Sequence, residues 1–133
     1  MPPRTILVVE DDDTIRRLLM EYLEGHSHLT VDGARDGVEA LHRVTLNRYA
    51  VIVVDLLMPK MSGVDFLDSL HALTSDPSVK SIESPPTVIV VTGADVPPEM
   101  IAARSKLVRR VLRKPVDVRE LAEMIGKVMS NEG

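Results

Sequence analysis

Cysteine and tryptophan are absent from the 133 residues, and Tyr22, Tyr49 and Phe66 are the only aromatics. Without cysteine there is no disulfide and no thiolate metal site, and nothing points to an oxidising compartment. With so few rings, the core has to be aliphatic. No apolar run approaches the ~20 residues needed to span a bilayer. The opening Met-Pro-Pro-Arg lacks a signal-peptide pattern, because the run Ile6–Val9 is too short for an apolar h-region. A cytoplasmic protein without a membrane partner is expected. Net charge is −4, which argues against direct nucleic-acid binding.

Apolar residues make up 44% and charged residues 27%, the balance of an ordinary globule. The length suits one domain, residues 1–133 with a core at about 4–129. Charge is uneven along it. Arg104, Lys106, Arg109, Arg110, Arg113 and Lys114 form a basic segment with no acid among them.

Apolar runs alternate with helical patterns. Ile6–Val9, Val51–Val54 and Val88–Val91 are consecutive aliphatic runs, which suits parallel strands covered on both faces. Leu29–Val31 reads as a weaker strand, and Val108–Arg113 mixes apolar and basic residues as an edge strand does. Ile15, Leu18, Leu19, Tyr22 and Leu23 recur at helical spacing and give one apolar stripe. Asp36 with Glu39, and Asp117 with Glu120, have capping-box spacing for helices reaching Leu46 and carrying Leu121, Met124, Ile125 and Val128. Ser62 is a candidate N-cap for a helix with Phe66, Leu67 and Leu70. Pro97 and Pro98 suit the first turn of a short helix over Glu99–Ser105. Thr74–Pro86 reads as an extended polar loop. The sum is five βα units: an α/β fold with one doubly wound parallel sheet and right-handed crossovers.

In such a sheet every strand ends on the same rim, and ligands bind there. Glu10, Asp11 and Asp12 follow the first run, Asp55 the second, Thr92 and Gly93 the third, and Lys114 with Pro115 the last. Carboxylates crowded together repel, and a hard divalent cation relieves that repulsion; Mg²⁺ prefers such oxygen ligands. A carboxylate can also act as a nucleophile toward phosphorus. Metal, ammonium, hydroxyl and backbone N–H groups would then neutralise the phosphoryl oxygens. Asp55 sits at the centre of that set.

The sequence resembles the response-regulator receiver domains of two-component signalling. The resemblance rests on Ile6-Leu7-Val8-Val9-Glu10-Asp11-Asp12, on Val54 through Gly63, on Val91-Thr92-Gly93-Ala94 and on Arg113-Lys114-Pro115. It implies a flavodoxin-like sheet of strand order 2-1-3-4-5. Asp55 would be the phosphoacceptor. Glu10, Asp11, Asp55 and the backbone carbonyl of Leu57 would hold Mg²⁺. Thr92 would be the switch hydroxyl and Lys114 the conserved-type lysine, its bond to Pro115 cis. Pro59 and Gly63 would shape the loop after Asp55. The donor would be a histidine kinase or a histidine phosphotransfer protein. An unknown downstream protein would read the fourth helix, last strand and last helix, where Arg104, Lys106, Arg109 and Arg110 lie. The chain would be a monomer or a phosphorylation-dependent dimer. It would not be an enzyme in the ordinary sense, but would promote its own phosphorylation from small donors and its own dephosphorylation.

Three features depart from the family pattern. Val111 stands where a switching aromatic is common, Leu107 where a glycine is, and Thr74–Pro86 is long. Two other functions compete. A Mg²⁺-dependent aspartyl-phosphate phosphohydrolase would want an acid two residues after the nucleophile, and Leu57 is there. A phosphorylation-independent scaffold would have lost an acid or the lysine. His26, His28, His42 and His71 show no ligand spacing, and Met58, Met61 and Met100 read as packing or loop residues.

Overall fold

Strands and helices alternate from the first described residue. The computed structural model describes residues 5–27, 30–56, 63–76, 86–93, 98–102 and 105–132. Its elements run β1 (Thr5–Val9), α1 (Asp13–Ser27), β2 (Thr30–Ala34), α2 (Gly37–Leu46), β3 (Val51–Asp55), α3 (Gly63–Thr74), β4 (Thr87–Thr92), α4 (Pro98–Ala102), β5 (Val108–Arg113) and α5 (Val118–Glu132). The strands form one parallel sheet in the order β2-β1-β3-β4-β5, the predicted order.

The consecutive apolar runs make sense in this sheet, because alternate side chains serve opposite faces. Leu7, Val9, Ile52, Val54, Val88 and Val90 meet Ala40 and Val44 of α2, Phe66, Leu67 and Leu70 of α3, and Ile101 of α4. Ile6, Val8, Val51, Val53, Ile89 and Val91 meet Leu23 of α1 and Leu121, Ile125 and Val128 of α5. Each fully buried side chain of this size stabilises the fold by roughly 1.5–3 kcal/mol.

Local signals hold at several helix ends. Asp36 caps α2, its side chain accepting from the Glu39 N–H at 2.8 Å. Asp12 does the same for α1 by accepting from Ile15 N–H at 2.9 Å, and Asp117 accepts from Arg119 N–H at 2.9 Å before α5. The Lys114–Pro115 peptide is cis, as expected.

Two expectations need correction. The second strand is Thr30–Ala34 rather than Leu29–Val31. Asp32-Gly33 resembles a turn, yet it pairs with Leu7 and Val8 of β1. The α1 side chains lie close over Gly33: a Cβ there would meet the Met20 sulfur at 2.6 Å, and the flexible Met20 side chain would have to move aside. The fourth helix is Pro98–Ala102, with Pro98 in its first turn as expected, and Ser105 is not helical. The stripe on α1 is only partly buried. Leu23 is enclosed, but Ile15 is 41% and Leu18 59% exposed. Periodicity identifies the face of a helix, not the depth of what lies beneath it.

Leu57, Met58, Pro59, Met61, Ser62, residues 77–85 of the long loop, Arg104 and His28 lie outside the described residues.

Candidate functional site

Glu10 is the first residue past β1, Asp55 the last of β3, Thr92 the last of β4, and Lys114 the first past β5. Parallel pairing brings these ends together: Val9 lies beside Val54, Asp55 beside Val91, and Thr92 beside Arg113. Backbone bonds then tie the rim. The Glu10 N–H donates to the Ala34 carbonyl at 3.0 Å, and the Lys114 N–H to the Thr92 carbonyl at 2.9 Å.

The side chains converge accordingly. Lys114 Nζ donates to Asp55 Oδ2 at 2.8 Å and to Glu10 Oε1 at 3.3 Å, across 59 and 104 residues of sequence. Asp55 and Glu10 are 4% and 3% exposed. Asp11 is exposed, and one carboxylate oxygen from each of Glu10, Asp11 and Asp55 lies within 4.8 Å of the others. Thr92 is buried at 1% exposure.

One ammonium faces three carboxylates, so negative charge is in excess. Burial first, and then the hydrogen bond and charge of Asp55, push the Glu10 carboxyl up to about 7 against the opposing pull of Lys114. At Lys114 burial works against the charged form, but the hydrogen bond and charge of Asp55, with those of Glu10, hold its pKa above the usual lysine value. A cation bound to these oxygens would relieve the surplus. Among the described residues the donor set is all carboxylate, and it fits a hard divalent ion such as Mg²⁺.

A supporting residue went unnoticed in the sequence. Arg16, one turn into α1, donates from Nη1 to the Glu10 carbonyl at 2.9 Å and pairs with Asp13. The only sequence signal is the Asp13–Arg16 spacing, which suits an ion pair within one turn. Val111 is half-buried against the cluster that contains Ile101 and Val108. Lys106, Arg109 and Arg110 are exposed around the β5 edge, away from the rim; His42 and His71 are exposed as expected.

An α/β sheet of this order, with acids and one lysine gathered at its carboxyl rim, defines a class of phosphate-handling switch domain. The comparisons agree with it: residues 6–126 match the family model of the response regulator receiver domain, and the chain belongs to that family. It is 37% identical over 117 residues to "Protein-glutamate methylesterase/protein-glutamine glutaminase 4" of Myxococcus xanthus, covering 86% of this chain and 30% of that protein. It is 39% identical over 74 residues to the transcriptional regulatory protein SrrA of Staphylococcus aureus, covering 56% of this chain and again 30% of the relative. This chain therefore spans under a third of the length of each. The structure of the Francisella response regulator 1452 receiver domain superposes with a TM-score of 0.78 at 25% identity, covering 100% of both chains. A CheY-like receiver domain protein from Methanospirillum hungatei also superposes with a TM-score of 0.78, at 26% identity over 98% of this chain and 97% of that one. Receiver domains of this family are phosphoacceptors of two-component signalling with an acidic Mg²⁺ site. No helix among the described residues is long and apolar enough to cross a membrane.

Proposed function

We propose that Asp55 accepts the phosphoryl group in this receiver, delivered by a histidine kinase or a histidine phosphotransfer protein. The observation that carries the proposal is the Asp55 carboxylate, buried and held at 2.8 Å by Lys114 beside two further acids. Glu10, Asp11, Asp55 and the Leu57 carbonyl would hold Mg²⁺, which supplies charge neutralisation for the transferred phosphoryl oxygens. Lys114 already binds Asp55 Oδ2 and so orients the carboxylate and compensates its charge. After transfer the same ammonium can bind a phosphoryl oxygen, and the Thr92 hydroxyl is the candidate partner for another.

The switch is a shift between two surface states. Moving such an equilibrium from 1:99 to 99:1 takes about 5.5 kcal/mol of differential stabilisation. Hydrogen bonds to a charged group contribute roughly 1.5–3 kcal/mol each, so two or three new contacts from the phosphoryl group suffice. The path to the surface runs along β5, because Lys114 is joined through its N–H to Thr92 and continues the strand that carries Val111, Arg110 and Arg109. With Val111 in place of an aromatic, output would rely on backbone movement of β5 and α4. An unknown downstream protein would then bind the face of α4, β5 and α5, using Lys106, Arg109, Arg110 and Arg104. A cytoplasmic location and a monomer, or a dimer formed on phosphorylation, complete the proposal. The esterase activity in the name of the Myxococcus protein is not transferred here, since this chain spans 30% of that protein.

The test is incubation with acetyl phosphate, with and without Mg²⁺, followed by intact-mass measurement. One phosphoryl group should be gained, and the gain should be suppressed by a chelator and absent in Asp55→Asn. Labelling that persists in Asp55→Asn would move the acceptor elsewhere.

A further inference from the structure

Beside Asp55 the fold leaves a groove of about 500 Å³ between the first turns of α1 and the lead into α5. Glu10, Asp55 and Lys114 form its polar end. The other described residues that line it are apolar, among them Ile15 and Leu18 on one side, Val116 and Val118 on the other, and Val53 and Val91 of the sheet below. Ile15 and Leu18 are two of the five large apolar side chains most exposed among the described residues, at 41% and 59%. An apolar hollow continuous with a charged end, at the scale of small-molecule pockets, suits a ligand with one anionic end and one apolar end.

We propose that the groove is a leaving-group subsite, which makes acyl phosphates with an extended apolar acyl chain better phosphodonors to Asp55 than acetyl phosphate. The proposal rests on the phosphoacceptor role of Asp55. The donor's phosphoryl end belongs at Asp55 and Lys114, so its acyl end has the apolar hollow as its nearest shelter. The chemistry balances without an added reagent. A carboxylate oxygen of Asp55 forms a bond to phosphorus, the bond from phosphorus to the acyl oxygen breaks, and its electron pair leaves on the released carboxylate. One mixed anhydride replaces another, with no proton and no redox change. Each buried methylene is worth about a fourfold gain, so a six-carbon acyl chain, even partly buried, should gain at least tenfold over two carbons.

The test compares labelling rates from hexanoyl phosphate and acetyl phosphate, with Mg²⁺, in the full chain and in Leu18→Gln and Ile15→Gln. The hexanoyl-to-acetyl ratio should be about ten or more, and should fall at least threefold in each variant. A second readout needs no transfer. Hexylphosphonate, whose P–C bond does not transfer, should shift the amide resonances of residues 15–19 and 116–121, and methylphosphonate should not. Equal rates for the two donors, a ratio unchanged in both variants, or hexylphosphonate shifts elsewhere would overturn the subsite. Chain-length indifference, combined with loss in Leu18→Gln of phosphoryl uptake from a protein phosphohistidine, would also overturn it and make the groove a protein-docking face. Mass gain from acetyl phosphate without chain-length preference sinks the groove alone. No mass gain from any donor sinks the Asp55 role and the subsite with it.

Discussion

The two faces of the sheet are filled differently. On the side of α2, α3 and α4, Phe66, Leu67 and Leu70 close over the strands with 1% exposure or less. On the side of α1 and α5, Leu23, Leu121 and Ile125 are equally enclosed, but toward the carboxyl rim the packing stops and a groove opens. The strands contribute the same kind of aliphatic residue to both faces. The difference lies in where the exposed apolar residues stand: those in the first turns of α1 line the groove at the rim. Val38, Leu46 and Met100 are exposed as well, but Ile15 and Leu18 are the exposed large apolar residues that line a groove ending in acids and the lysine.

The largest effect should come from the closed face. Phe66 is 0% exposed, and its removal leaves a cavity that neighbours cannot fill. Phe66→Ala should lower unfolding free energy by about 3–5 kcal/mol, measured by urea denaturation. A loss under 1 kcal/mol would mean that this face is no better packed than the other.

Much of this was legible in the residues. β1, β3 and β4 are buried on both faces and so carry uninterrupted aliphatic runs, and parallel pairing alone then brings Glu10, Asp55, Thr92 and Lys114 to one rim. β2 was less legible because it is an edge strand whose Asp32 and Gly33 serve other needs. Asp32 accepts from the buried Tyr49 hydroxyl at 2.8 Å, a pair 17 residues apart with no motif to announce it. That contact, after burial itself, helps push the Tyr49 phenol up to about 12. The contact from Arg16 to the Glu10 carbonyl was invisible for a similar reason, since it depends on how α1 leaves the rim. The open groove was hidden most completely. Ile15 and Leu18 satisfy the same periodicity as Leu23, and nothing local in the sequence distinguishes a side chain over a hollow from one over a core.

Where the open face meets the rim, Glu10 should impose a pH dependence on the metal-free protein. Its carboxyl is raised from 4.5 to about 7 in the fold, so the folded state holds a proton that the unfolded chain has released over that window. The stabilisation is fully present below about pH 4.5 and is lost as pH rises through about 7. It is worth at most about 3 kcal/mol. In a chelator-containing buffer, stability should therefore fall between pH 5 and pH 8, and Glu10→Gln should flatten that slope. The difference between wild type and Glu10→Gln isolates this carboxyl and is the quantity to read. A slope identical in both would show that burial at this rim does not raise the Glu10 carboxyl.

The smallest effect is the most pointed. Leu18→Ala would confuse side-chain loss with helix propensity, whereas Leu18→Gln keeps the length of the side chain and costs α1 little in propensity. Leu18 is 59% exposed, so the substitution removes little surface from a packed environment. Stability should change by no more than about 0.5 kcal/mol, the range of ordinary surface substitutions. The same change in Leu23, at 2% exposure and one helical turn and a half further along α1, should cost several times more, because it would bury an amide without partners. A loss above 2 kcal/mol at Leu18 would mean that the groove closes in solution and that α1 is a core helix along its whole stripe. The two faces would then be filled alike, and the exposed leucine would need no functional explanation.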